Sequence, residues 1–402
     1  MNNRRYAQIT GWGMCVPERV LTNQDLARLV DTSDEWIVSR TGIRERRVVS
    51  GDQETTATLA TRAARAALRV ASILPSQIDL VIVATATPEY AFPSTASLVQ
   101  DALGASNAGA FDLSAGCSGF LYALSLGADA ICAGNARHVL VIGAETLSKI
   151  TDWSDRNTCV LFGDGAGAVV LSAYEERCGV LAYVLGSDGS GADLLMLPAG
   201  GSRRPASQET VSNGEHFLKM DGRAVFRFAT RVMAKATEDV AQKAGWQLAD
   251  LTLVIPHQAN ARIIQSAVRR LNLPEGKFFV NLERYGNTSA ASIPIALCEA
   301  IASGQVKDGD RLVLVGFGAG LTWAAVALEW GVPLPVQPQP WLRRLVLSLH
   351  FIWGATRSAL LRAARRVFSV ILGPEEGNGW RGATRRRIEY WWKRHRQGQD
   401  EE

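Results

Sequence analysis

The sequence is poor in the residues that staple, extend or solubilise a chain. Six cysteines among 402 residues are too few for a disulfide-stapled scaffold. Charged residues make up only 20% against 47% apolar ones, which excludes a disordered chain, since this much apolar surface can offset the entropy of ordering the backbone. No apolar run follows Arg4 and Arg5, and Gly11, Gly13 and Pro17 break up what comes next, so no secretory signal is expected and a reducing, cytoplasmic setting is. Histidine is scarce as well: there are five, and two of them, His350 and His395, lie in the last stretch. No Cys/His cluster has the spacing of a metal site, and no metal or other cofactor is expected.

The net charge of +4 is unevenly spread. From Pro333 onward there are 13 Lys+Arg against 6 Asp+Glu, whereas residues 1–332 carry 30 and 33. The basic balance therefore belongs to the tail, and the body gives no support for a nucleic-acid partner.

Within residues 1–330 short apolar runs alternate with helical patterns, the signature of an α/β fold. Leu80–Ala84, Ala110–Leu113, Val139–Gly143, Ala166–Leu171, Leu251–Ile255 and Leu312–Gly316 read as strands. Thr95–Leu103 and Phe120–Ala133 read as helices, the second stopped by Gly134 and Asn135. Phe162-Gly163-Asp164-Gly165-Ala166 leading into AVVL is echoed by Phe317-Gly318-Ala319-Gly320 leading into WAAVALE. Two glycine-rich turns, each opening an apolar strand, suggest an internal duplication, with two unrelated α/β domains as the other reading. The expected division is 1–172, 173–332 and a tail of 333–402.

Ala110–Phe120 (AFDLSAGCSGF) is the sharpest local feature. A strand ends, small residues turn the chain, and Cys117 opens a helix. Helical N–H groups and the macrodipole stabilise a thiolate there, so Cys117 is a candidate nucleophile of lowered pKa. A buried structural cysteine is the other reading, and the one expected for Cys15, Cys132, Cys159, Cys178 and Cys298. His257 follows the apolar run LTLVI, at the strand end where α/β folds place ligands. Asn287 stands in a Gly-Asn turn before a run of small residues; taken alone it reads equally as a cap.

Cys117 in AGCSGF, His257 in PHQAN and Asn287 in GNTSAAS, in that order, resemble the Cys-His-Asn set of β-ketoacyl-acyl carrier protein synthase III, the condensing enzyme that starts fatty-acid synthesis. TSDEWIVSRTGIRER (Thr32–Arg46), FGDGAGA at Phe162 and FGAGLTW at Phe317 are similar to further motifs of that family, and the resemblance spans essentially residues 5–330. It implies a duplicated thiolase-like fold, layered α-β-α-β-α, with two five-stranded sheets, and a homodimer. It implies an acyltransferase that takes an acyl-CoA primer onto Cys117, then condenses it with malonyl-acyl carrier protein. The N–H groups of Cys117 and Ala319 would hold the oxyanion, in a Gly-Ala-Gly turn where some relatives have three glycines. His257 and Asn287 would stabilise the enolate left by decarboxylation. A thiolase would need a second cysteine in a late Cys-Gly motif, and an elongating synthase a second histidine in place of Asn287.

The same motifs imply binding residues. Trp36 and Arg156 would sandwich the adenine of CoA, Arg40 would meet its phosphates, and Phe226 and Asn260 would line the pantetheine arm. Phe92 would reach the acyl pocket across a dimer. Arg223, Arg227 and Arg262 would form a basic rim for an acidic carrier protein. The alternatives are a starter condensing enzyme of polyketide or other secondary lipid metabolism, and a non-catalytic lipid-binding or membrane scaffold of the same fold.

After Gly331 four prolines (Pro333, Pro335, Pro338, Pro340) read as a stiff linker. Trp341–Leu372 reads as a basic amphipathic helical extension, with Arg343, Arg344, Arg357, Arg362, Arg365 and Arg366 on one half of the wheel. Leu342, Leu345, Val346, Leu349, Ile352, Trp353, Leu360, Val367, Val370 and Ile371 take the other half. Between Arg344 and Arg357 lie only 12 residues, short of the ~20 a membrane span requires. Peripheral membrane contact is the expectation; docking to an acidic protein and packing onto the body are the others.

Overall fold

A computed structural model of the chain describes residues 5–331 and, between 347 and 367, positions 347–349, 351, 353, 354, 356, 357, 359–361, 363, 364 and 367. The main elements in chain order are β1 (Tyr6–Cys15), α1 (Asp34–Thr41), α2 (Thr56–Ala71), β2 (Leu80–Ala84), α3 (Thr95–Leu103), β3 (Gly109–Leu113), α4 (Gly119–Cys132), β4 (His138–Thr146), β5 (Asp164–Tyr174), β6 (Gly179–Ser187), α5 (Gly222–Ala244), β7 (Leu253–Pro256), α6 (Ala261–Leu271), α7 (Ser292–Ala302), β8 (Arg311–Gly318) and β9 (Thr322–Glu329). The described positions between 347 and 367 are helical.

The helices start where the sequence provides caps. Thr55 and Thr58 form a capping box for α2, and Asp221 accepts from the first N–H groups of α5. Strand β7 begins two residues later than its apolar run suggests, because Leu248–Asp250 form a 3-10 turn braced by Gln247 and Asp250. Strands β4 and β8 are buried along almost their whole length, which is why they read as continuous apolar runs rather than alternating ones.

The first sheet has the order β1-β5-β4-β2-β3 and the second β6-β9-β8-β7. In both, the first two pairs in that order run antiparallel and the pairs that follow run parallel. The second sheet thus repeats the first strand for strand, except at its far edge. There the resemblance implied a fifth strand, and the chain makes only one parallel bridge, Val254 to Phe278. A 3-10 turn at Glu275–Lys277 delivers Phe278, and a short helix at Leu282–Tyr285 takes the chain away again, leaving no room for a ladder.

Helices α4 and α7 fill the space between the sheets; α2 and α3 cover the outer face of the first sheet and α5 that of the second. This is the α-β-α-β-α layering of a duplicated thiolase-like fold. Helices α4 and α7 occupy matching places in the two halves, and the turns that precede them, Gly116–Ser118 and Ser289–Ala291, touch. Cys117 and Asn287 are brought together by that meeting of two helix starts.

The cysteines differ in part from expectation. Cys159, Cys178 and Cys298 are buried, but Cys159 and Cys178 sit in turns rather than in strands or helices, Cys15 is half-buried, and Cys132 is exposed. Cys132 is the last residue of α4, where the helix has already emerged from between the sheets.

Candidate active site

Strand β3 ends at Leu113, and Gly116, at φ 53°, turns the chain so that Cys117 opens the approach to α4. A side chain could not replace hydrogen at the two glycines that face each other here. A Cβ on Gly116 would lie 2.6 Å from the Ala319 nitrogen, and one on Gly318 would lie 2.3 Å from the Cys117 nitrogen. The backbones of the turns at Gly116 and Gly318 are thus in direct contact, which places the N–H groups of Cys117 and Ala319 close together.

The thiol does not have the lowered pKa that its place before a helix suggests. Cys117 is 7% exposed, and burial pushes its thiol up to about 12; the carboxyl of Glu145 adds to the rise and a hydrogen bond with Ser289 opposes it. Desolvation outweighs the dipole of one helix start. The resting side chain is therefore a thiol.

His257 leaves the end of β7 with its N–H donating to Val315 O at 2.8 Å. Its ring is 1% exposed and stands edge-on to Phe317, with centroids 5.2 Å apart. Burial drops its pKa to about 3, so the imidazole is neutral. Nδ1 is 2.6 Å from Ser292 Oγ, and Nε2 has no hydrogen-bond partner. Next to it Gln258 Nε2 donates to Pro256 O and Phe279 O while its Oε1 accepts from Asn281 N, fixing the strand end.

Asn287 is held by three bonds. Its N–H donates to Leu161 O, its carbonyl accepts from Gly163 N, and its Oδ1 accepts from Ser289 N at 2.8 Å. That last bond leaves Nδ2 as the end of the carboxamide that can meet a substrate. Ser289 has φ 47°, an uncommon conformation for a residue with a side chain, and one often retained at working sites.

Cys117, His257 and Asn287 converge on the floor of a cleft of about 270 Å³ that also meets Trp36, Arg40, Asn157, Phe226, Asn260 and Phe317. Behind Cys117 is a second, smaller cavity of about 100 Å³, walled by Leu147, Ile150, Phe162, Leu195, Leu197 and Leu218 and bordered by Ala319 and Ser289. Cys117 lines both, so one sulfur sits between a long cleft and a small greasy pocket.

The other residues expected from sequence fall into three groups. At the outer end of the cleft, the Arg156 guanidinium carbon is 4.5 Å from the centre of the Trp36 ring and that of Arg40 is 6.0 Å from it. Arg156 therefore lies over the Trp36 ring, and a base between them would have to part them. Asn260 lines the cleft, donates to Arg40 O at 3.0 Å and caps α6, while Arg262 stacks over Phe226 at 5.4 Å. Arg223, Arg227 and Arg262 are exposed at the starts of α5 and α6, beside these lining residues. Phe92 lies apart from the cleft of its own chain and is 87% exposed, next to a cis bond to Pro93.

Four site residues carried no signal of their own in the sequence. Ser292 and Ser289 were visible only as members of a small-residue run, and Phe317 only as the start of a glycine-rich motif. Glu145 lies just past the apolar run Val139–Gly143 and was not singled out at all. It is fully buried and accepts from Thr87 Oγ1 at 2.7 Å and from Ala86 N at 3.1 Å, and burial raises its pKa.

Comparison with known proteins gives a consistent result. Residues 111–189 match the family described as 3-oxoacyl-[acyl-carrier-protein (ACP)] synthase III, and residues 241–330 match its C-terminal counterpart. The β-ketoacyl-[acyl-carrier-protein] synthase III of Symbiobacterium thermophilum is 57% identical over 323 residues, covering 80% of this chain and 98% of that protein. The protein of the same name from Caldanaerobacter subterraneus is 54% identical over 324 residues, 81% and 98% of the two chains. The crystal structure of 3-oxoacyl-[acyl-carrier-protein] synthase III from Aquifex aeolicus superposes with a TM-score of 0.74 at 50% identity, covering 80% of this chain and 99% of that one. The portion left uncovered by all three is about the length of the tail.

Proposed function

Since the chain belongs to the β-ketoacyl-[acyl-carrier-protein] synthase III family, acyltransferases that carry out the condensation initiating fatty-acid synthesis, we propose that Cys117, His257 and Asn287 perform its two half-reactions on the floor of the cleft. In the first, Cys117 Sγ attacks the thioester carbonyl of an acyl-CoA primer. The C–S bond to CoA breaks, the thiol proton leaves with the CoA sulfur, and an acyl-Cys117 thioester remains. The oxyanion is met by the N–H groups of Cys117 and Ala319, and the acyl chain lies in the small pocket behind the sulfur.

In the second, malonyl-acyl carrier protein enters the emptied cleft and loses CO2. The enolate oxygen accepts from His257 Nε2–H and Asn287 Nδ2–H. Its carbon then attacks the acyl-Cys117 carbonyl, forming the C–C bond and returning sulfur as the leaving group. Two neutral donors suffice because His257 and Asn287 are buried, and in such a site one donor is worth about 3–4 kcal/mol of barrier.

The observation that carries this reading is the unpartnered Nε2 of His257. A buried polar nitrogen without a partner is costly, and it is retained here on the wall of the same cleft as Cys117.

Trp36, Arg156 and Arg40 serve the nucleotide end of CoA, Phe226 and Asn260 the pantetheine arm, and Arg223, Arg227 and Arg262 the acidic carrier protein. The chain works as a homodimer. Strand β3 is the open edge of the first sheet, with Phe111 39% exposed, and the bare Phe92 would be covered by a second copy. The dimer is cytoplasmic, in keeping with six cysteines that form no disulfide, and touches a membrane peripherally through residues 333–402. The halves divide at 1–172 and 173–332, each supplying one sheet and one central helix.

Intact-mass spectrometry after incubation with a panel of acyl-CoAs tests the assignment. A mass gain equal to one acyl group, absent in Cys117→Ala, is the expected result. No adduct with any primer would overturn Cys117 as the acyl carrier.

A further inference from the structure

The C-terminal helix touches the body with one side and leaves several large apolar residues exposed on the other. Leu347 and Phe351 are 4% and 5% exposed and join the core cluster that contains Leu103 and Ala105. Gly354 crosses Gly104 so closely that a Cβ on either would lie 2.8 Å from the other's Cα. The guanidinium groups of Arg65 and Arg69, on α2, cover the Phe351 ring at 5.4 and 5.7 Å. Beyond Gly354 every described position of the helix is exposed.

At 3.6 residues per turn, Leu349, Trp353, Leu360 and Val367 fall within an arc of about 40°, opposite Leu347, Phe351 and Gly354. All four are more than half exposed, Leu360 at 70% and Trp353 at 61%. The helix therefore docks through Leu347, Phe351 and Gly354 and leaves Leu349, Trp353, Leu360 and Val367 exposed. Leu349 and Trp353 border a groove with Pro75, Ser76, Gly104 and Ser106 of the body and are still more than half exposed, while Leu360 and Val367 lie beyond Gly354, so the body leaves most of this arc uncovered.

We infer that this outward arc is a lipid-insertion face that sets the synthase against an anionic membrane surface, an inference that rests on the peripheral contact proposed above. Three observations favour lipid. The stretch 341–372 contains six arginines and no acidic residue, matching a negative surface. The Arg357 guanidinium stacks on the Trp353 ring at 5.9 Å, an amphipathic pair suited to the headgroup level. Among the described residues no helix is long and apolar enough to cross a membrane. The contact at Gly104 and Phe351 ties the catalytic body to that surface.

The test is flotation of the full chain with vesicles of phosphatidylcholine alone or mixed with phosphatidylglycerol. It compares wild type with the triple variant Leu349→Glu, Trp353→Glu, Leu360→Glu, alongside condensing activity and sedimentation mass without lipid. Wild type is expected to float with the anionic vesicles and not with the neutral ones. The triple variant should lose about tenfold or more in partitioning, with activity and mass unchanged. Wild type that does not float, or a variant that floats as well as wild type, overturns the proposal. A variant with altered mass shows that a second copy covers the arc. One that keeps flotation but loses kcat/KM for malonyl-carrier protein shows that the carrier docks there. Either result removes the lipid reading. Flotation without condensing activity in the wild type would instead sink the catalytic assignment and leave the lipid face standing.

Discussion

Ser292 Oγ lies 2.6 Å from His257 Nδ1, and that short contact decides which face of the imidazole can work. The ring is neutral and carries one proton. If the serine hydroxyl donates to Nδ1, the proton stays on Nε2, the nitrogen that lines the cleft and lacks a partner. Ser292→Ala removes the donor and frees the tautomer. The expected outcome is a fall in condensation of about 2–10-fold, the worth of one neutral hydrogen bond. Acylation of Cys117 should persist, since Nε2–H is assigned to the second half-reaction. Single-turnover measurement of each half separates the two.

The titration of the site has a definite sign. His257 has a folded-state pKa lowered to about 3 by burial, so the unfolded chain binds its proton first as pH falls. The stability this group contributes is complete above the ordinary histidine range and is lost on acidification toward pH 3. Cys117 behaves oppositely: its raised pKa contributes stability below the ordinary thiol range and loses it as pH climbs toward 12. Between pH 6.5 and 8 neither changes charge, and the condensation rate is expected to show no step from His257 there. Iodoacetamide at pH 8 should label exposed Cys132 before Cys117, which is expected to react at least about tenfold more slowly than an unperturbed thiol. Peptide mapping over time reads both rates.

What could be read from sequence follows from where each signal resides. Cys117 and His257 follow predicted strands and Asn287 stands in a Gly-Asn turn, each in a local motif long enough to be distinctive, and the duplication showed in two glycine-rich turns. Ser292 and Glu145 act through contacts between segments distant in the chain, and nothing local marks which serine or which strand end will face the histidine or the thiol. The Cys117 pKa was misjudged because a helix start is local and burial is not. The side by which the C-terminal helix docks was not legible for a related reason. Its wheel shows an apolar half, but the close Gly104–Gly354 crossing selects the side that docks.

The paired glycines of the two turns make a sharp prediction. Gly318→Ala puts a Cβ 2.3 Å from the Cys117 nitrogen, where no neighbouring side chain can swing aside because the obstacle is backbone. Separation of the turns would pull one N–H away from the oxyanion. Loss of one such donor lowers kcat by about 10²–10³-fold. The measurement is kcat with a saturating primer, with circular dichroism to show that the fold persists.

If the acyl chain lies in the small pocket behind Cys117, as proposed, that pocket sets the primer. Its apolar walls carry no charge to bind a polar chain end, and at about 100 Å³ it is much smaller than the cleft in front. Leu218 is 9% exposed and forms part of that wall beside Leu147 and Phe162, in a cluster separate from the main core. Leu218→Ala therefore enlarges the cavity at a site where collapse of the surroundings is limited to a few side chains. The truncation is expected to cost about 2–3 kcal/mol in stability, at the low end for a buried leucine. In return it should admit a longer acyl chain, each added methylene contributing about 0.8 kcal/mol of burial once there is room for it. The preference ratio kcat/KM for hexanoyl-CoA over acetyl-CoA should rise by about tenfold or more in the variant. An unchanged ratio would mean that the acyl chain lies in the long cleft instead, and that the small pocket plays no part in choosing the primer.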